Sequence, residues 1–150
     1  MTAGSIARDS VVTVEDDATL VDAAATMRDD GVGSVVVVDG DRPVGILTDR
    51  DLAVRVVADG ADPATTLVAD AMADDLVTVE SETGVYELVR LMAEESVRRV
   101  PVVEDDTLVG IVSVDDVIVL LGMELQNIAT LIRAESPSLE TPATELPEML

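Results

Sequence analysis

The chain can be laid over itself. Displaced by 65 residues, the separation of Val12 from Val77, one half matches the other without a gap. Val12-Thr13-Val14-Glu15 falls on Val77-Thr78-Val79-Glu80, Met27 on Met92 and Val32 on Val97. Val35, Val37 and Val38 meet Val100, Val102 and Val103, and Asp41 meets Asp106. Val44-Gly45-Ile46 meets Val109-Gly110-Ile111, and Asp51 meets Asp116. A match this long makes the fold two copies of one supersecondary unit, each needing the other to cover an apolar face.

Each copy reads as strand, helix, strand, strand, helix. Val11–Val14 and Leu76–Val79 are β-branched runs that predict strands. Leu20, Ala24 and Met27, then Val85, Leu88, Val89 and Met92, recur at helical spacing, and Gly31 suits the end of the first helix. Val35–Asp39 with Val44–Leu47, and Val100–Glu104 with Val109–Val112, predict hairpins around Asp39-Gly40-Asp41 and Glu104-Asp105-Asp106. Final helices are expected from about Thr48 to Ala58 and from Ser113 to Leu121. The fold class is therefore α/β (α+β), with tandem β-α-β-β-α repeats at residues 3–58 and 68–121 in pseudo-two-fold packing. Residues 59–67 form the linker. Leu125, Ile128, Leu131 and Ile132 mark a separate C-terminal helix over 122–135, and three prolines in 136–150 predict a disordered tail.

The 150 residues suffice for one compact domain, and their core has to be aliphatic because Tyr86 is the only aromatic. Met72, Met92 and Met123 are expected as core filler. His, Cys and Lys are all absent, which excludes thiolate and Ser-His-Asp catalysis, the usual zinc ligand sets, disulfides and lysine Schiff bases. Carboxylate chemistry with a divalent ion survives as a minor possibility. No secretory signal opens the chain, and its apolar runs fall short of a membrane span, so it is expected to be cytoplasmic.

Nine arginines face 31 carboxylates, a net charge of −22. This opposes nucleic-acid binding, which depends on cations that neutralise phosphates. The acids are spread along the chain, as at Asp29–Asp30, Asp74–Asp75, Asp105–Asp106 and Asp115–Asp116, and read as solvated surface rather than metal ligands. An evenly acidic surface without Lys resembles that of proteins from salt-accumulating archaea. At about 1 M salt the Debye length is about 3 Å, which screens such self-repulsion.

Gly45-Ile46-Leu47-Thr48-Asp49-Arg50-Asp51 and Gly110-Ile111-Val112-Ser113-Val114-Asp115-Asp116 resemble the Gly-apolar-apolar-Thr/Ser-x-x-Asp signature of cystathionine β-synthase (CBS) domains. Arg98-Arg99-Val100-Pro101-Val102-Val103 resembles the second-strand motif of the same family. The resemblance covers about residues 3–121. It implies a non-enzymatic regulatory module that binds AMP, ADP, ATP or S-adenosylmethionine between the repeats and signals to a protein partner in trans, as a homodimer. It also implies Thr48, Asp51, Ser113 and Asp116 as ribose-side residues, and Val11, Val12, Leu76 and Val77 as adenine-pocket walls. Arg98 and Arg99 would meet phosphate, and Gly33 and Ser34 hold the matching places in the first copy.

Other roles remain open for these residues. Thr48-x-x-Asp51 and Ser113-x-x-Asp116 each satisfy the helix capping box, which needs no ligand. Arg98 and Arg99 are equally suited to pairing with surface carboxylates. A scaffold of the same fold that binds no nucleotide is the alternative function. If nucleotide binds, the single Arg98-Arg99 pair predicts one strong cleft, and dimerisation is expected through Leu52/Val56 and Val117/Leu121.

Overall fold

A computed structural model describes residues 1–73 and 75–135. The first repeat contains β1 (Thr13–Glu15), α2 (Leu20–Asp30), β2 (Ser34–Asp39), β3 (Arg42–Thr48) and α3 (Asp49–Ala53), which runs on as a π-helical turn, Val54–Ala58; a short α1 (Ala3–Ile6) precedes them. The second repeats the order with α4 (Val68–Ala71), β4 (Val79–Glu80), α5 (Val85–Glu94), β5 (Arg99–Glu104), β6 (Thr107–Ser113) and α6 (Val114–Glu135). Each sheet has three strands, β1-β2-β3 and β4-β5-β6, with a parallel first pair and an antiparallel hairpin. Even the register irregularity is duplicated, lying between Val37 and Val38 in one hairpin and between Val102 and Val103 in the other.

The first strands are shorter than their β-branched runs and begin two or three residues later. Val12 still accepts a hydrogen bond from the Val36 N–H, but Val11 and Leu76 lie outside the ladders. The helix spacing also needs correcting. Leu20, Ala23 and Met27 form the buried face of α2, leaving Ala24 exposed, and Val89 is exposed on α5. Gly31 ends α2 in the left-handed region at φ 64°. Its counterpart Ser96 holds φ 54° without glycine's freedom.

Two aliphatic cores result, and each is completed by a segment from the other repeat. Ala3 is buried with Val79, Leu88, Val100 and Val112 of the second repeat, whereas Val68 and Ala71 are buried with Leu20, Val35 and Leu47 of the first. The exchange is reciprocal in its hydrogen bonds. The N–H groups of Ala3 and Gly4 donate to the carbonyls of Thr83 and Ser81, and those of Val68 and Ala69 donate to Ala18 and Asp16. The repeat unit in sequence is thus not the packing unit. Residues 1–117 form one compact body.

This exchange explains the signature glycines. A Cβ on Gly110 would lie 2.8 Å from the Ala7 Cβ and 3.1 Å from the Arg8 carbonyl oxygen, where the exchanged segment crosses β6. At Gly45 the nearest atoms belong to the flexible side chain of Met72, the residue equivalent to Ala7. Gly110→Ala should therefore lower stability by about 1–3 kcal/mol, as overpacking against backbone does, and Gly45→Ala by clearly less. Thermal melts of the two variants check this; equal losses would show that the crossing is not the constraint.

The C-terminal part departs most from expectation. One helix, α6, runs through Val114–Glu135 where a break near residue 121 was expected. Gly122 does not interrupt it; a glycine inside a helix costs only about 1 kcal/mol. By length and composition this helix is apolar enough to cross a membrane, contrary to the expectation from the short unbroken apolar runs within it. Met123 is exposed on it, so it fills no core; Met92 does, and Met72 packs at the edge of the first core. Val117 is buried in the second core, so the expected Val117/Leu121 surface reduces to Leu121. The expected tail, 136–150, lies outside the described residues.

Candidate functional site: two clefts between the repeats

The start of each final helix is built by its own side chains. Thr48 Oγ1 accepts from the Asp51 N–H at 3.2 Å, and Asp51 Oδ2 accepts from the Thr48 N–H at 2.9 Å. In the second copy the Asp116 N–H donates to Ser113 Oγ at 3.3 Å, while Asp116 Oδ2 accepts from the Ser113 N–H and hydroxyl at 2.8 and 2.6 Å. Both capping boxes are therefore real. They also hold each carboxylate at a cleft, so the capping geometry leaves both side chains lining it.

The clefts are formed crosswise. One, of about 280 Å³, sets Val11, Val12, Gly33 and Ser34 of the first repeat against Ser113 and Asp116 of the second. The other, of about 330 Å³, sets Leu76, Val77, Arg98 and Arg99 of the second repeat against Thr48 and Asp51 of the first. All twelve ligand-site candidates of the sequence line these clefts, Arg99 both of them. Their volumes sit near the lower end of the range for small-molecule pockets, about 300–1,000 Å³. Each offers an apolar wall from the approach to a first strand and a carboxylate opposite.

Electrostatically the clefts differ, through a residue the motif reading missed. Arg8 reaches Asp116 Oδ1 with Nε at 2.8 Å and Nη2 at 2.7 Å. Burial pushes the Asp116 carboxyl up, but the hydrogen bonds from Ser113 and the Arg8 guanidinium outweigh it and hold the group below the usual carboxylate range. Both oxygens of Asp116 are thus engaged. Arg8 is fixed in turn by its backbone, which exchanges hydrogen bonds with Ile111 at 2.9 and 3.0 Å. The 65-residue offset carried the signal: Arg8 aligns with Ala73, which lines the other cleft.

Among the described residues, no cation touches the Asp51 carboxylate and its Oδ1 has no hydrogen-bond partner. Arg98 and Arg99 stand on the opposite wall. Arg98 makes only a 3.9 Å contact to Asp115 between exposed side chains, and Arg99 has no ion pair among the described residues. Arg99 also borders the Asp116 cleft, so each cleft is lined by two arginines. Cation count therefore does not separate them. The difference lies in whether the carboxylate is already occupied.

The family model for the CBS domain matches residues 3–58 and 68–122. Uncharacterized protein MK0525 of Methanopyrus kandleri is 41% identical over 117 residues, 77% of this chain; the chain spans 60% of that relative's length. Hypoxic response protein 1 of Mycobacterium tuberculosis is 37% identical over 117 residues, covering 77% of this chain and 82% of that protein. The crystal structure of Hypoxic Response Protein I with two coordinated zinc ions superposes with a TM-score of 0.71 at 36% identity, covering 78% of this chain and 96% of that one. The cytosolic domain of the Mg²⁺ channel MgtE in complex with ATP gives 0.69 at 35% identity, over 79% of this chain and 48% of the other. With two matched copies, exchanged edge segments and crossed clefts, the chain belongs to the CBS domain family, as a tandem pair of the kind that serves as a regulatory ligand-binding module.

Proposed function

We propose that this protein is a non-enzymatic, cytoplasmic sensor of an adenine-containing ligand (AMP, ADP, ATP or S-adenosylmethionine) that signals to a protein partner in trans. The carrying observation is the Asp51 cleft, where a capped carboxylate with a free oxygen faces Arg98 and Arg99 across an apolar floor. A carboxylate accepts both hydroxyls of a ribose diol, and a guanidinium forks onto phosphate. Leu76 and Val77 suit an adenine face, and Thr48 the sugar. ATP on the MgtE domain supports a nucleotide as ligand. Zinc is not carried over from Hypoxic Response Protein I, because this chain has neither His nor Cys.

In this reading Asp51 provides the strong site. The Asp116 cleft, with Val11, Val12, Gly33, Ser34 and Ser113, is weaker because Arg8 holds its carboxylate. The protein works as a homodimer in a salt-rich cytoplasm. Support comes from an apolar groove of about 540 Å³ along Leu20, Val21, Ala24, Leu52 and Val56, and from the net charge of −22.

A ligand-free scaffold is the second reading. It is favoured by the complete capping boxes and by the absence of any unpartnered buried polar side-chain atom among the described residues. Thermal melts in molar KCl with AMP, ADP, ATP and S-adenosylmethionine separate the two. A ligand at 100 times its Kd should add about 2.7 kcal/mol, and no shift with any of them would favour the scaffold.

A further inference from the structure

Beyond Val117, α6 carries a stripe unrelated to the clefts. Ile118, Leu121, Leu125, Ile128 and Ile132 alternate at spacings of three and four, and all five are between 48% and 66% exposed. In heptad terms Ile118, Leu125 and Ile132 occupy a positions, and Leu121 and Ile128 occupy d. A repeat of 3.5 residues is the pattern that keeps a seam facing another helix, as in a coiled coil.

We propose that this stripe is the seam of a parallel, in-register coiled coil with α6 of a second copy. Identical stripes are self-complementary, and the charge pattern permits the match. Glu124, at g, is the only charged residue between Val117 and Ile132. In a parallel pair it faces Ala129, at e of the next heptad of the partner helix, so no like charges meet although each chain carries −22. The stripe spans about 21 Å of helix. Covering its five residues and their e and g flanks buries on the order of 500 Å² per copy, about 1,000 Å² in all, the size at which specific interfaces begin. A bilayer suits the helix less well. Gln126, Asn127 and Thr130 sit on the face away from the stripe and would have to enter hydrocarbon.

Single cysteines test this cleanly, because the chain has none of its own. Full-length Leu121→Cys, Ile128→Cys and Thr130→Cys are oxidised in molar KCl and separated without reductant. These positions are exposed, and thermal melts confirm that each variant keeps the wild-type fold. Parallel in-register packing sets each d-position cysteine against its own copy and holds Thr130, at f, away from the seam. The disulfide-linked dimer should form at Leu121→Cys and at Ile128→Cys at least about tenfold more than at Thr130→Cys. Cross-linking at neither d position, at only one, or equally at Thr130→Cys overturns the proposal. Wild-type protein floating with phosphatidylcholine vesicles also overturns it, assigning the stripe to a lipid surface.

Discussion

Asp51→Ala should weaken ligand binding about ten- to a hundredfold, while Asp116→Ala should leave it within about threefold. The first substitution removes a charge-assisted hydrogen bond to a sugar hydroxyl, worth about 1.5–3 kcal/mol. The second removes a carboxylate whose oxygens are already committed to Arg8 and Ser113. Arg98→Ala/Arg99→Ala should cost a nucleotide about as much as Asp51→Ala, yet change adenosine affinity little, since adenosine has no phosphate. Asp51→Ala should weaken both ligands alike. Titration calorimetry in molar KCl with AMP and adenosine reads all of these values, with Asp116→Ala as the internal control. Equal losses at Asp51 and Asp116 would mean that Arg8 leaves its carboxylate when ligand arrives, and the single-site assignment would fall.

Removal of salt should have an even larger effect, on the whole fold. The described residues contain five ion pairs, and only Asp116 among the pairing groups is substantially shielded from solvent. Most carboxylates among the described residues therefore have no close cation. Lowering KCl from about 3 M to about 0.1 M lengthens the Debye length from under about 3 Å to about 10 Å, bringing neighbouring surface charges into repulsion. The thermal midpoint followed by circular dichroism should fall on the order of 20 °C, and the transition should broaden. A midpoint unchanged across that range would remove the case for a salt-adapted chain. Exposed pairs such as Arg28–Asp29 are screened by solvent and cannot compensate.

The repeat made much of this molecule readable beforehand. Val35–Val38 and Val100–Val103 announced central strands because β-branched residues suit a pleated, buried position, and both segments are buried. Thr48/Asp51 and Ser113/Asp116 were legible because a capping box is local chemistry. The exchange of α1 and α4 was not. Ala3 and Val68 carry no periodic pattern, and each is buried against strands of the other repeat. Arg8 was hidden for the same reason, since its partner lies 108 positions on. The continuity of α6 was not legible, because Ser113–Leu121 completes the repeat while Leu125, Ile128, Leu131 and Ile132 carry a stripe of their own, so the two stretches read as separate helices.

The exchanged segments also impose an order on biosynthesis. Val68 and Ala71 leave the ribosome soon after the strands they cover, so the first core can close while the rest of the chain is still being made. Ala3 emerges before any strand of its own core, and its burial site needs Val112, 109 positions later in the chain. The α1 segment must stay unattached until β6 has been made and then find it, a long-range step of the kind that slows folding. A nascent chain made as far as Ala71 would therefore hold one finished core and a loose α1 segment, ready to complete a second repeat supplied by its own chain or by a neighbouring one.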